Sequence, residues 1–213
     1  MPDISIHDIE AARVALSLLD PALALAHRAT PPVAWRSKPG GFAGLVRLVL
    51  EQQVSVASAT AVWNRLEAAL GSVGIEEVLA LEIEQLKLHG LSVQKARYVR
   101  AIAEAQIDGH IDFTRLSDLS DEEAGEKLRA IKGVGRWTAD VYLMICEARR
   151  DVFPAGDIAL QEAIRALDRA VVRPSEKELY LRAERWRPYR STAAHLLWGY
   201  YAGLKNKTIV PPP

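Results

Sequence analysis

Three groups of residues in this 213-residue chain have types and spacing that could do chemistry. The first is a carboxylate. Val152-Phe153-Pro154-Ala155-Gly156-Asp157 runs into a clear helical pattern from residue 158, so Asp157 reads as a helix N-cap, a common role for aspartate. A cap position also holds a negative charge still at a helix mouth, where it can stabilise a cationic centre or orient water. Both readings stand at this point. The second group is Lys132-Gly133-Val134-Gly135. Glycine takes positive φ without a side-chain penalty, and a tight turn of this kind exposes the first N–H groups of the following helix, which suit a phosphate. A plain helix–helix connection fits as well, because short glycine motifs are weak signals alone. The third group is Trp186-Arg187-Pro188-Tyr189-Arg190-Ser191, leading into a helix that bears His195, Trp198, Tyr200 and Tyr201. Aromatics at helical spacing are usually core. Trp198 fits either core or ligand contact, His195 reads as a satisfied structural histidine, and Ser191 reads as a helix cap.

The elements that must position these residues are helical. Residues 8–19 read as a helix with Val14 and Leu18 on its inner face, stopped before Pro21. Loop signals bracket residues 30–41. Helices follow over 42–52 and 55–70, the second capped by Ser55, then over 75–88 and over 93–106 behind Ser92. Ser120-Asp121-Glu122-Glu123 is a capping box for a helix through Ile131. The next helix, about 136–148, is apolar all round and therefore buried. Helices at 158–170, 176–187 and 190–204 complete the chain, and the end, Pro211-Pro212-Pro213, reads as loose. No strand alternation appears, so the fold class is all-α. One echo is visible: Gly90-Leu91 and Ala96 match Gly133-Val134 and Ala139 at the same offset.

Composition narrows the classes. Hydrophobic residues make up 49% and charged residues 25%, as in ordinary globular proteins. No apolar run approaches the roughly 20 residues of a membrane span. Asp3, Asp8 and Glu10 sit where a secretory signal would need a basic stretch. The one cysteine, Cys146, excludes an internal disulfide and an all-cysteine iron–sulfur cluster. The five histidines show no metal-ligand spacing. A reducing cytosol is the expected setting. The net charge is zero, so any surface for DNA must be local.

Taken together, Ile131-Lys132-Gly133-Val134-Gly135-Arg136-Trp137-Thr138-Ala139, Asp151 through Asp157, Trp186 through Ser191, and Leu50-Glu51-Gln52-Gln53-Val54-Ser55-Val56-Ala57 resemble the 3-methyladenine DNA glycosylase II family of the helix-hairpin-helix superfamily. Four ordered motifs are far more specific than one. The resemblance covers roughly residues 42–204 and implies two helical lobes around a cleft. One lobe is residues 41–148 with the hairpin; the other is 1–40 plus 149–213 with the catalytic aspartate.

The resemblance further implies a monofunctional base-excision-repair glycosylase acting on alkylated purines. Asp157 is the catalytic carboxylate. Trp137, Trp198, Tyr142 and Gln52 form the base pocket. Gln53 is the wedge, and Gly133, Val134, Gly135, Arg136 and Thr138 hold DNA. A monovalent cation on the backbone carbonyls of Ile131 and Val134 is a further implication, with no dedicated metal and no cofactor. The implied partner of the monomer is double-stranded DNA with damaged bases, with no membrane partner. Where many relatives carry two adjacent carboxylates this chain has Gly156-Asp157. Trp137 stands where bifunctional relatives place a Schiff-base lysine. Competing readings are a non-catalytic helix-hairpin-helix DNA-binding protein and a helical hydrolase of small nucleosides.

Overall fold

A computed structural model describes residues 5–32 and 35–210, and the triproline end lies outside them. The described chain is all-α: α1 Ile6–Leu19, α2 Pro21–Ala29, α3 Gly41–Glu51, α4 Val56–Leu70, α5 Ile75–Leu79, α6 Ile83–Leu88, α7 Val93–Ile107, α8 Asp121–Arg129, α9 Arg136–Ile145, α10 Ile158–Leu167, α11 Glu176–Ala183 and α12 Arg190–Lys205. It divides into two compact units, one of residues 38–147 and one of residues 1–37 with 148–213.

In the 38–147 unit the apolar helix is α9, and every residue from Thr138 to Ile145 is buried. The helix α3 packs against α4, α7 and α9, and α8 packs against α9. Lys95 of α7 donates to the carbonyls of Leu50 (2.6 Å) and Gln52 (2.9 Å), so its cation meets the negative end of α3. Residues 75–88, expected as one helix, form α5 and α6. The break falls at Glu82, whose side chain and that of Gln85 make a reciprocal capping box that starts a new helix.

In the other unit α1 packs on α2 and α12, and α10 packs on α12. The inner face expected for α1 is not the observed one. Val14 is 51% and Leu18 86% exposed, and the buried stripe is Ile9, Ala12, Arg13 and Leu16. Arg13 belongs inside because its guanidinium donates to the carbonyls of His27, Thr30 and Pro31 at the end of α2. A charge paired this way satisfies carbonyls that a leucine could not. The first helix stops at Leu19, before Pro21, as expected, and Pro21 opens a further helix, α2, at its first position behind the cap Asp20. Asp20 also accepts from Arg182 (2.8 Å) and from Trp186 Nε1 (3.0 Å). Its burial favours the neutral form, yet the Arg182 contacts outweigh this and hold its carboxyl below the usual range.

His195 on α12 is a satisfied structural histidine, 4% exposed. Nε2 lies 3.0 Å from the Arg36 amide and Nδ1 lies 3.1 Å from the Ser191 carbonyl. The amide can only donate, so Nε2 accepts and Nδ1 carries the proton. Burial is the main cause that pulls the ring from 6.5 down to about 4. The unfolded chain therefore takes up a proton that the folded chain refuses between those values. The stability that His195 contributes is complete above pH 6.5 and is lost as pH falls toward 4, roughly 3 kcal/mol in all. His195→Gln should flatten this stretch of the stability–pH curve in urea unfolding, and an unchanged slope would count against the assignment.

Candidate active site

The glycine turn between α8 and α9 is closed by the Val134 amide donating to Ile131 O at 3.0 Å. Gly133 has φ +94°, and a Cβ there would lie 2.1 Å from the Tyr98 ring, so both backbone and space require glycine. Gly135 is the N-cap of α9 and supplies no side-chain acceptor. Gly135 and Arg136 are exposed, while Val134 and Ile131 turn inward.

The echo seen in the sequence has a conformational counterpart. Gly90 has φ +96°, Leu91 is 5% and Ala96 0% exposed, and their counterparts Val134 and Ala139 are 4% and 0% exposed. The two turns differ at the cap. Ser92 accepts from the Lys95 amide at 3.2 Å and so covers the mouth of α7 from within. Gly135 brings no such hydroxyl to α9, which suits an external acceptor such as a phosphate.

Gln53 sits exposed at the turn after α3 with φ +57°. Two residues expected in the base pocket hold partners within their own unit. Tyr142 is fully buried, with its hydroxyl accepting from the Gly41 amide at 2.7 Å and facing Glu147 at 3.2 Å. Burial raises its pKa. It braces the interior of its unit because it lies on the all-buried helix. Gln52 likewise turns toward the hairpin. Its Nε2 donates to Gly133 O at 3.2 Å and to Thr138 Oγ1 at 2.9 Å, which makes it a positioning residue for the turn. Thr138 is 2% exposed, so its hydroxyl serves this bond and only its backbone is left for a ligand. Trp137 is half-buried at the start of α9.

In the other unit Asp157 caps α10. It is half-buried, and Oδ1 accepts from the amides of Ala159 (2.8 Å) and Leu160 (3.3 Å). The loop before it is held at several points. The Asp157 amide donates to Pro154 O at 2.8 Å, and Gln161 Nε2 donates to Ala155 O at 2.8 Å. Ser191 does not cap α12, whose N-cap is Tyr189. It lies inside the helix with its hydroxyl accepting from the Val152 amide at 3.0 Å and facing Arg149 O at 2.7 Å. Arg187 and Arg190 pair with Asp151 at 3.0 and 2.9 Å. The segment 186–191 is thus a clamp on the strand of chain that leads to Asp157. At Gly156 a Cβ would lie 3.3 Å from the Glu176 carboxyl carbon. A second carboxylate at 156 would lie close to that of the exposed Glu176.

Trp198 is half-buried in the same unit. Trp35 stacks on His195 at 4.2 Å, His195 lies 5.7 Å from Trp198, and the Arg36 guanidinium lies 5.3 Å from the Trp198 ring centre. Trp35, Arg36, Gln161 and the Ser191 clamp escaped the sequence reading. Trp35 and Arg36 sit in a loop without periodicity, and only the fold brings Arg36 to a histidine 159 positions away. Among the described residues no group of three or more His, Cys, Asp or Glu could hold a metal ion, and no helix is long and apolar enough to cross a membrane.

An all-α chain with a glycine-built hairpin before a buried helix, and an aspartate at the mouth of the next, defines a helix-hairpin-helix protein. Residues 46–188 match the HhH-GPD superfamily base excision DNA repair protein family, and the chain belongs to it. It stands among members named DNA-3-methyladenine glycosylases. DNA-3-methyladenine glycosylase 1 of Schizosaccharomyces pombe is 34% identical over 158 residues, covering 72% of this chain and 69% of that protein. The crystal structure of a DNA-3-methyladenine glycosidase from Bacillus halodurans superposes with a TM-score of 0.80 at 30% identity, covering 93% of this chain and 91% of that one. The S. pombe 3-methyladenine DNA glycosylase in complex with abasic DNA gives 0.77 at 31% identity, covering 88% and 95%.

Proposed function

We propose that the chain is a monofunctional DNA glycosylase that hydrolyses the N-glycosidic bond of alkylated purines, of the 3-methyladenine and 7-methylguanine type, in duplex DNA. The observation that carries this reading is Asp157, half-buried at a helix mouth and fixed by two amides on Oδ1. Breaking the bond builds positive charge on the sugar. The Asp157 carboxylate stabilises that charge and takes the proton of the attacking water. The leaving base keeps the bonding electron pair. A methylated cationic base becomes neutral as it departs, so no general acid is needed.

The amides at Gly133, Gly135 and Thr138, with Arg136, hold phosphates. A monovalent cation on the carbonyls of Ile131 and Val134 fits the same turn. Flipping the base costs a few kcal/mol, and Gln53 fills the gap it leaves. Trp137 and Trp198 stack on the flipped base, each contributing about 0.5–2 kcal/mol with a cationic one. No cofactor enters the reaction, and a monomer suffices.

The test uses duplexes that carry single defined lesions, with abasic sites scored with and without alkali. Base release should be detected, and strand breaks should appear only after alkali. Breaks without alkali would overturn the monofunctional assignment. Tight duplex binding with no release from any lesion would point to a pure DNA-binding protein instead.

A further inference from the structure

We propose that Arg36 is a specificity-determining residue, a resident cation on Trp198 that disfavours bases already carrying positive charge relative to neutral ones. This rests on the reading that Trp198 stacks on the flipped base. Four residues of one unit carry the inference. The guanidinium of Arg36 lies 5.3 Å from the Trp198 ring centre. Its backbone is fixed, because the Arg36 amide donates to His195 Nε2 at 3.0 Å. His195 is itself held between Trp35 at 4.2 Å and Trp198 at 5.7 Å. Burial keeps the His195 ring neutral at neutral pH, so of these four side chains Arg36 alone brings charge to the indole.

An aromatic face attracts one cation well. A methylated purine that arrives with its own positive charge must displace Arg36 from the ring, or stack on the other face with a like charge across the indole. Displacement costs any purine the same contact, but the like charge across the indole costs the cationic base free energy that a neutral purine such as hypoxanthine does not lose. The indole alone would favour the cationic base. Arg36 narrows that preference and broadens the set of bases released. The side chain of Arg36 is exposed, so its replacement leaves the packing of the cluster in place.

Single-turnover release of 7-methylguanine and of hypoxanthine from otherwise identical duplexes tests this. Arg36→Gln should raise the 7-methylguanine to hypoxanthine rate ratio about 3- to 10-fold, whereas Arg36→Lys, which keeps the charge, should stay near the wild-type ratio. An unchanged ratio in Arg36→Gln overturns the proposal. So does an equal fall for both lesions with a shallower salt dependence of binding, the signature of a phosphate contact. Trp198→Leu separates the two levels of inference. If it slows release of either lesion while the Arg36→Gln ratio is flat, only the role of Arg36 falls. If it leaves both rates unaltered, Trp198 is not the stacking platform and both readings fall.

Discussion

Asp157→Asn should lower base release by roughly 10³-fold while leaving duplex affinity and fold stability near wild type. The substitution separates two roles that the wild-type residue combines. As a cap, Asp157 uses Oδ1 to accept from the amides of Ala159 and Leu160. An asparagine offers the same oxygen at the same place, and the two residues cap about equally well. The amide and carbonyl bonds that shape the loop, from Asp157 N to Pro154 O and from Gln161 to Ala155 O, do not involve the carboxylate. What disappears is the negative charge and the capacity to take a proton from water. Those two contributions are worth about 10²–10⁴ in comparable sites. Removing a negative charge should, if anything, tighten binding to a polyanion. Asp157→Ala is the informative companion: it should lose rate to a similar degree and also about 1 kcal/mol of stability, because the cap goes as well. Single-turnover release from a 7-methylguanine duplex, fluorescence anisotropy with the same duplex and urea unfolding measure the three quantities. A rate loss under tenfold, or an affinity loss as large as the rate loss, would remove Asp157 from the chemistry.

That Asp157 caps a helix was legible in the sequence because capping is local: the residue type, its position before an apolar period and the two cap bonds lie within four residues. The caps Ser55, Ser92 and Ser120 were legible for the same reason. The helical class followed from apolar period, and the burial of α9 from its apolarity all round. What failed needed partners far along the chain. Arg13 faces inward because α2 ends where its guanidinium can reach, so hydrophobicity alone chose the wrong face of α1. The stop of α1 before Pro21 is borne out, and the helix that Pro21 opens rests on a local cap as well, Asp20 accepting the Ala22 amide. Tyr142 and Gln52 show what a matched motif leaves open. Matching a motif transfers a position along the chain. The direction of a side chain depends on what surrounds it, and one of these residues is sealed in a core while the other is spent on the hairpin. The place of Ser191 near a helix start suggests a cap, yet its hydroxyl serves residues 149–152.

Gly133→Ala should cost about 2–4 kcal/mol of stability and most of the DNA affinity, out of proportion to the single methyl group added. Two independent penalties meet at this position. The backbone φ of +94° lies in a region that an L side chain rarely adopts, and the new Cβ would sit 2.1 Å from Tyr98 Cγ. Swinging the Tyr98 ring aside would cost its hydroxyl the bond from Gln94. The turn itself must move, and with it go the Gln52 bond to Gly133 O and the closing bond from Val134 to Ile131. These are the contacts that aim the first amides of α9, so affinity should fall along with stability. A double variant divides the penalty. Gly133→Ala with Tyr98→Ala relieves the clash but not the backbone strain, and should recover only part of the loss. Gly135→Ala is the control. Its φ is −79° and nothing lies within 4 Å of an added Cβ, so it should leave stability within about 0.5 kcal/mol of wild type. Urea unfolding and duplex titrations over a salt series measure both effects. If Gly133→Ala behaved like Gly135→Ala, the hairpin would not be the rigid, glycine-dependent grip from which the proposed DNA binding follows.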